Sequence, residues 1–135
     1  MTHLTKNKVL SNLQHGFREN QSCTSQLLIT VNDFAKSLNV GQQTDSILLD
    51  FSKALDKGNH SKLCLKAEHY GVRGSTLQWI KAFLNNRTQQ VILNGKSSKT
   101  ADVLSGVPQG TVLGPLLFLI YINDMPSYVN QIIRR

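Results

Sequence analysis

The chain has 135 residues, of which 40% are hydrophobic, and a formal net charge of +7 from 15 Lys and Arg against 8 Asp and Glu. This length is that of one ordinary domain or of a piece of a larger protein, and the hydrophobic content excludes a chain without a core. The excess of positive charge favours a polyanionic partner; the alternative is a basic domain that has no such partner.

The sequence carries no membrane signal. Residues 1–13 lack the apolar stretch of a signal peptide, and the most hydrophobic segment, 112–122, is shorter than the roughly 20 residues that span a bilayer. Cys23 and Cys64 lack the spacing of zinc ligands, so we expect two buried free thiols. We therefore expect no membrane partner and an intracellular location, in the cytoplasm or the nucleus.

The N-terminal third contains one clear helical pattern. Residues 1–13 are polar and weakly patterned, which predicts an extended or frayed lead-in, and the run Gln-His-Gly-Phe-Arg at 14–18 is typical of a turn. Apolar residues then recur at steps of three and four positions, the pattern of an amphipathic helix, at Leu27, Leu28, Val31, Phe34, Ala35 and Leu38. Asn39 and Gly41 accept the left-handed conformation that ends a helix, so the helix is predicted to end there.

An apolar run that ends in a carboxylate follows this helix. The run Ile-Leu-Leu at 47–49 is too short for a helix and contains a β-branched residue, so it predicts an inner strand with Asp50 at its carboxyl end. Because an unpaired carboxylate is costly in a core, Asp50 indicates an open cleft, a metal ion or a partner. The alternative is an aspartate that ends a strand and starts a turn.

Two helices and a hairpin are predicted between 51 and 104. Residues 51–59 are rich in turn formers, and a helix is predicted over 60–70, ended by Gly71. The run Ser-Thr-Leu-Gln at 75–78 matches a capping box, which predicts the start of a second helix with an apolar face between 77 and 84. The segments 88–93 and 99–104 are predicted to be strands, joined through an Asn-Gly pair at 94–95 that suits a tight turn.

A glycine-rich loop leads into the most hydrophobic segment. The run Ser-Gly-Val-Pro-Gln-Gly at 105–110 is predicted to be a loop, because glycine favours turns and proline lacks the N–H of a strand ladder. Residues 111–124 are predicted to form a helix that is buried nearly all round, with Pro115 in its first turn. The loop is either a floor that nucleic acid approaches closely or an ordinary strand-to-helix turn.

Three runs, in this order and spacing, carry a resemblance to a known family. They are Gln-His-Gly-Phe-Arg at 14–18, Leu-Leu-Asp-Phe-Ser-Lys-Ala-Leu-Asp at 48–56, and Ser-Gly-Val-Pro-Gln-Gly-Thr-Val-Leu-Gly-Pro-Leu-Leu-Phe at 105–118. From about residue 10 to residue 127, the chain resembles the reverse transcriptases of non-LTR retrotransposons of the LINE class, and among them the jockey-like ones.

The resemblance implies an α+β fold that is an incomplete right-hand polymerase, in which fingers and palm enclose a primer and its template. It assigns residues 1–44 to a fingers segment, 45–60 to the first palm segment, 61–110 to a second fingers segment and 111–135 to a palm helix. The implied partners are an RNA template and a DNA primer.

The resemblance also implies a catalytic centre. In this family two Mg²⁺ ions, held by three palm carboxylates, join a nucleotide to the primer 3′-hydroxyl, because paired metals stabilise both the attacking and the leaving oxygen. Asp50 matches the first of these aspartates, and the backbone carbonyl of Phe51 is implied as a further oxygen ligand of the kind that Mg²⁺ prefers. Asp56 also matches a family position, for which we expect local hydrogen bonding rather than metal binding.

Further residues are implied to contact the nucleotide or the nucleic acid. Gln109 matches a residue beside the incoming nucleotide, Pro108 and Gly110 shape the loop beneath it, and Arg18 matches a finger position near the template. Leu55, close to Phe51 in the nucleotide site, stands where the family usually has a Phe whose ring excludes a 2′-hydroxyl. We therefore expect a completed enzyme with this leucine to reject ribonucleotides less well than its Leu55→Phe version.

Two departures from the family pattern bear on activity. Gly58 stands where a branched apolar residue is usual, which should loosen the turn before His60. The second catalytic block, an aromatic residue followed by Ala-Asp-Asp, is expected after the buried helix, yet Asp124 is the one acidic residue of the sequence after Asp102. One aspartate cannot hold two metals, so we expect a reverse transcriptase fragment that is inactive alone. The alternatives are a non-catalytic basic nucleic-acid-binding module and a relic reading frame with no selected role.

Overall fold

The computed structural model describes residues 2–132, with side chains from 3 to 128; residue 1 and residues 133–135, at the outer ends of the predicted 1–44 and 111–135 segments, lie outside the described residues. The described part contains α1 (Thr2–Lys6), α2 (Cys23–Asn39), α3 (His60–His69), α4 (Gly74–Leu84), β1 (Thr88–Gln89), β2 (Ile92–Leu93), β3 (Lys96–Ser97), β4 (Ala101–Asp102), α5 (Leu113–Ile122) and α6 (Met125–Ile132). This mixture of helices and short strands confirms the predicted α+β content.

The hydrophobic core lies where α3 packs against α4 and α5. Leu63 and Ala67 of α3, Leu84 of α4 and Leu117 of α5 are completely withdrawn from solvent. Helix α5 is apolar on nearly every side, and its buried or half-buried residues confirm the predicted buried helix, with Pro115 in the first turn. Burying a leucine contributes about 1.5–3 kcal/mol, so the fully buried leucines of this three-helix contact stabilise the fold.

The extended or frayed lead-in predicted for 1–13 is wrong. Residues 2–6 form α1, and Leu4 and Leu10 are buried in the core. The segment is also held by the side chain of Asn123, whose Nδ2 donates to the Val9 carbonyl at 2.8 Å and whose Oδ1 accepts from the Ser11 N–H at 2.8 Å. Two scattered leucines show no helical period, so the sequence alone does not reveal that tertiary contacts hold this segment.

Helix α2 confirms the amphipathic helix but not a buried face. Ser22 caps it, and a reciprocal bond with Ser25 completes a capping box. Gly41 follows with a φ of +68°, which confirms the predicted helix end. No residue of α2 is buried, and Leu28 is 66% and Leu38 75% exposed, so the apolar stripe faces away from the described core.

The inner strand predicted at 47–49 is wrong. These residues have no regular secondary structure in the described chain, and Ile47, Leu48 and Leu49 are between 70% and 91% exposed. A strand needs a neighbour to pair its N–H and C=O groups, and the described ladders join β1 to β4 and β2 to β3 only. The apolar run therefore has strand propensity without a strand to pair with.

The helices around 60–84 are confirmed, with one local error. Helix α3 covers His60–His69, capped by the Asn59 side chain, and α4 begins at Gly74. Because α4 starts one residue before Ser75, that serine lies inside the first turn. The predicted capping box at 75–78 is therefore wrong, and no side chain caps α4.

The turn of the hairpin is confirmed, but its strands are shorter than predicted, and the returning chain pairs from β3 (Lys96–Ser97), before the predicted strand at 99–104. Asn94 and Gly95 have φ of +49° and +73°, the positive pair that a tight I′ turn requires. Ser98 separates the two ladders: its backbone N–H donates to the Val91 carbonyl at 2.8 Å, and its Oγ accepts from the Val91 N–H at 3.0 Å. A side chain thus replaces one ladder bond.

Both cysteines are free thiols, Cys64 buried and Cys23 exposed, so the predicted burial is wrong for Cys23. Burial raises the pKa of the Cys64 thiol, and the positive charge of Lys81 opposes this shift. Among the described helices, none has both the length and the hydrophobicity to cross a bilayer.

Candidate functional site

Asp50 lies at the mouth of a cleft. The Asp50 cleft has a volume of about 640 Å³ and lies between residues 50–58, α3 and the junction of α5 with α6. Its lining is Asp50, Phe51, Ser52, Ala54, Lys57, Gly58, Lys62, Lys66, Phe118, Tyr121, Ile122, Asp124, Met125 and Tyr128. Asp50 is exposed and has no hydrogen bond or ion pair with a described residue, so its carboxylate is accessible from the cleft.

Three lysines and two aspartates line this cleft. Lys62 and Lys66 are four residues apart on α3, which places them on one face of the helix, and Lys57 lies in the preceding turn. Neither Lys57 nor Lys62 has an ion pair within the described residues. Because the lysines outnumber the aspartates, the cleft favours an anionic ligand.

Lys66 is already bound. Its ammonium Nζ donates to the Tyr121 carbonyl at 2.5 Å and to Asp124 Oδ1 at 2.6 Å, and lies 5.2 Å from the centre of the Tyr121 ring. A positive charge is favourable at the C-terminal end of a helix, where carbonyl groups lack partners. Lys66 therefore ties α3 to the end of α5 and neutralises Asp124.

The glycine-rich run at 105–110, which we call the Gln109 loop, is bound to the turn at 52–58, which we call the Asp56 turn. The Gly106 N–H donates to the Gly58 carbonyl at 2.7 Å, and the Val107 N–H donates to the Leu55 carbonyl at 2.8 Å. The Ser105 Oγ donates to the Asp56 carbonyl at 2.8 Å. Two motifs that are about 50 residues apart in the sequence therefore form one unit.

Close packing maintains this contact. Gly106 has a φ of +83°, and a Cβ there would lie 2.7 Å from both Cα and O of Asp56. The buried His60 bonds the Gly106 carbonyl through Nε2 at 2.8 Å. On the other side of the loop, a Cβ on Gly114 would lie 2.3 Å from the Pro108 carbonyl oxygen. Glycine is therefore required at 106 and 114 for the backbone to approach this closely.

Gln109 is fixed by Asp56. The Gln109 Nε2 donates to Asp56 Oδ1 at 2.8 Å, which agrees with the local hydrogen bonding expected for Asp56. Both side chains are exposed, as is Gly110, whereas Pro108 of the same loop is buried. The loop thus presents Gln109 at the surface from an anchored base.

The side chains of Leu55 and Arg18 are engaged in other contacts. Leu55 is half-buried and packs against the hydrophobic core. Arg18 donates from Nη1 to the Ser11 carbonyl at 2.6 Å, so its guanidinium is engaged by its own segment. A template contact of Arg18 and a sugar contact of Leu55 stay predictions.

The described residues do not form the two-Mg²⁺ site that the resemblance implies. Asp50 and Asp124 are the two carboxylates of the cleft, and Lys66 is bound to the second. Among residues 2–132, no three His, Cys, Asp or Glu side chains lie close enough together to hold a metal ion. Of the residues that the resemblance assigns to the metal ions, Asp50 and Phe51 line the cleft.

Comparison with known proteins decides the family. The model of the family described as reverse transcriptase (RNA-dependent DNA polymerase) matches residues 1–134. The chain belongs to this family. The resemblance to jockey-like reverse transcriptases of non-LTR retrotransposons, inferred from three motifs, is thereby confirmed.

Individual relatives agree with this assignment. The RNA-directed DNA polymerase from mobile element jockey of Drosophila melanogaster is 32% identical over 121 residues, covering 90% of this chain and 13% of the relative. The jockey protein of Drosophila funebris is 33% identical, covering 89% of this chain and 13% of the relative. The probable RNA-directed DNA polymerase from transposon X-element of Drosophila melanogaster is 33% identical, covering 84% and 12%. The chain thus spans about an eighth of these relatives, and no solved structure matches it.

Sequence reasoning missed the lysines of the cleft. Lys62 and Lys66 stand four positions apart in a predicted helix that directly follows the Asp50 motif. That spacing was a usable signal, because it places both side chains on one face. The bond of Lys66 to Asp124 had no such signal, since it depends on how α3 packs against α5.

Proposed function

We propose that the chain is the fingers and the first part of the palm of a right-hand RNA-directed DNA polymerase from a non-LTR retrotransposon. Residues 1–44 and 61–110 belong to the fingers, and residues 45–60 and 111–135 belong to the palm. Its ligands are an RNA template and a DNA primer, and Asp50 is the first catalytic carboxylate of the complete enzyme.

The contact between the Asp56 turn and the Gln109 loop carries this proposal. The hydrogen bonds from Gly106 and Val107 to the turn join the two motifs for which the family resemblance implies roles at one nucleotide site. Nothing in the sequence spacing requires two such distant runs to meet. Their contact is therefore support that is independent of the motif match.

Nucleic acid is bound through phosphate contacts. Lys57 and Lys62 line the Asp50 cleft without an ion pair in the described chain, and the whole chain has a net charge of +7. Lysines that neutralise phosphates release counterions, so binding weakens as salt rises. This property does not depend on an assembled catalytic centre.

The 135-residue chain does not polymerise by itself. The two-metal reaction needs several carboxylates to hold both ions, whereas the cleft supplies one free carboxylate, Asp50, beside three lysines. We propose that Asp50 and the Phe51 carbonyl complete a Mg²⁺ site only together with carboxylates from elsewhere in a complete polymerase.

The test is binding of a labelled RNA-template and DNA-primer duplex to the purified chain, measured by fluorescence anisotropy across a salt series. The double variant Lys57→Ala/Lys62→Ala should lower the slope of log K against log salt by about 1–2, because each lost phosphate contact removes ~0.7–0.9. Lys36→Ala is the matched control for one lost charge, since that lysine lies on α2 and pairs with Asp33 at 3.9 Å.

Undetectable binding of the unaltered chain at low salt would refute the proposal. So would a double variant whose slope equals that of the unaltered chain. A similar decrease of the salt slope in Lys36→Ala would show non-specific attraction to the basic surface and would refute the cleft as the binding site.

A further inference from the structure

The Asp56 and Gln109 side chains form a hydrogen bond whose direction is fixed by chemistry. A glutamine amide has an oxygen acceptor on one side and an NH₂ donor on the other, and rotation about its last bond exchanges the two. An ionised carboxylate only accepts hydrogen bonds. Asp56 therefore selects the NH₂ side of Gln109, in agreement with the 2.8 Å bond from Nε2 to Oδ1.

The backbone on both sides of this pair is held. An exposed hydrogen bond is weak when two free side chains must be ordered to make it. Here the carbonyl of Asp56 accepts from Ser105 Oγ at 2.8 Å, and the carbonyl of the preceding Leu55 accepts from the Val107 N–H at 2.8 Å. Gln109 itself follows the buried Pro108. Much of the ordering that the pair needs is thus supplied by the contact between turn and loop.

We propose that Asp56 is a positioning residue that turns the Gln109 amide so that its carbonyl oxygen is offered to a ligand. Gln109 Oε1 has no hydrogen-bond partner within the described residues. A carbonyl oxygen accepts from hydroxyl and amino groups, so the ligand chemistry it selects is a sugar hydroxyl or a base amino group of a nucleotide rather than a phosphate oxygen. This inference rests on the proposed function for the presence of a nucleotide at Gln109.

The orientation is tested on the ¹⁵N-labelled chain by NMR of side-chain amides. In the unaltered chain, the Gln109 Nε2 group should be more ordered and less temperature-dependent in shift than that of Gln78, an exposed glutamine of α4 that serves as the internal reference. Asp56→Ala should move the Gln109 signal to the values of Gln78. Asp56→Glu keeps an acceptor-only carboxylate and should retain the original behaviour.

Three results would overturn the orientation: equal mobility of Gln109 and Gln78 in the unaltered chain, an unchanged Gln109 signal in Asp56→Ala, or an Asp56→Glu variant that behaves like the alanine variant. The first comparison needs no variant to fold.

Addition of the RNA/DNA duplex then tests the role. The Gln109 signal should shift on binding in the unaltered chain and in Asp56→Glu, and should lose most of that shift in Asp56→Ala. An equal shift in all three chains, or bound duplex without any shift in the unaltered chain, would overturn the role of Asp56. Failure of the duplex to bind any of the chains would instead refute the proposed function, and the duplex-free spectra would still decide the orientation.

Discussion

Replacing Gly106 by alanine tests the contact between the Asp56 turn and the Gln109 loop. The substitution adds one methyl group at a residue whose φ is +83°. The left-handed conformation costs an L-residue about 1–2 kcal/mol. The new Cβ would also lie 2.7 Å from the Asp56 backbone, which cannot move as a flexible side chain can.

The close approach of the new Cβ to the Asp56 backbone distinguishes Gly106 from Gly110 in the same loop. Overpacking of this kind costs about 1–3 kcal/mol, so Gly106→Ala should lower the free energy of unfolding by about 2–5 kcal/mol in total. Gly110→Ala is the matched control, because Gly110 lies in the same loop with a φ of +74° and has no atom within 4 Å of its would-be Cβ. It should lose only the conformational part, about 1–2 kcal/mol.

The assay is urea unfolding followed by circular dichroism. With a slope of about 2 kcal/mol per M, a difference of ~2 kcal/mol between the two variants separates their midpoints by about 1 M. Equal midpoints for Gly106→Ala and Gly110→Ala would refute the close approach of the loop to Asp56, and with it the anchored base of Gln109.

Three further predictions concern the bonds of Lys66 at the end of α5, the packing of α5 compared with that of α2, and the reactivity of the two thiols. Lys66→Met removes the two hydrogen bonds of an ammonium group whose side chain is 29% exposed. It should lower the free energy of unfolding by about 1–2 kcal/mol in the same urea assay. A loss below ~0.3 kcal/mol would contradict the role of Lys66 in holding α3 to the end of α5. Leu117→Ala should lower the free energy of unfolding by about 2–5 kcal/mol. Leu28→Ala, at a residue that is 66% exposed on α2, should change it by less than about 0.5 kcal/mol. Similar losses in the two variants would show that α2 is packed against the core. Cys23 should be alkylated by iodoacetamide at pH 7.5 in the folded chain. Cys64 is buried and has a raised pKa, which leaves less thiolate at this pH, so it should react only after unfolding. Equal alkylation rates of the two cysteines in a mass-spectrometric time course would contradict this prediction.

The sequence predicts the helices α2, α3, α4 and α5 because their signals are local. The three- and four-residue spacing of apolar residues identifies α2, and Gly71 marks the end of α3. The Asn-Gly pair at 94–95 predicts the hairpin turn for the same reason, since Asn and Gly readily adopt the positive φ that the turn requires.

The failures concern features that depend on distant partners. The run at 47–49 has strand propensity, but a strand forms only beside another strand, and the described residues offer none to it. The burial of Leu4 and Leu10 requires the packed core, which no pattern in 1–13 reveals. The same reason applies to the site. The motif that contains Asp50 can be recognised in the sequence, whereas the hydrogen bond between Asp56 and Gln109 forms only when the chain folds.

The most direct test of the central claim, that this chain carries the first catalytic carboxylate of a reverse transcriptase without a complete metal centre, is primer extension. The purified chain is incubated with an RNA template, a labelled DNA primer, deoxynucleoside triphosphates and Mg²⁺, beside an Asp50→Asn control. We predict that neither chain lengthens the primer. Template-dependent products from the unaltered chain that disappear in Asp50→Asn would contradict the claim.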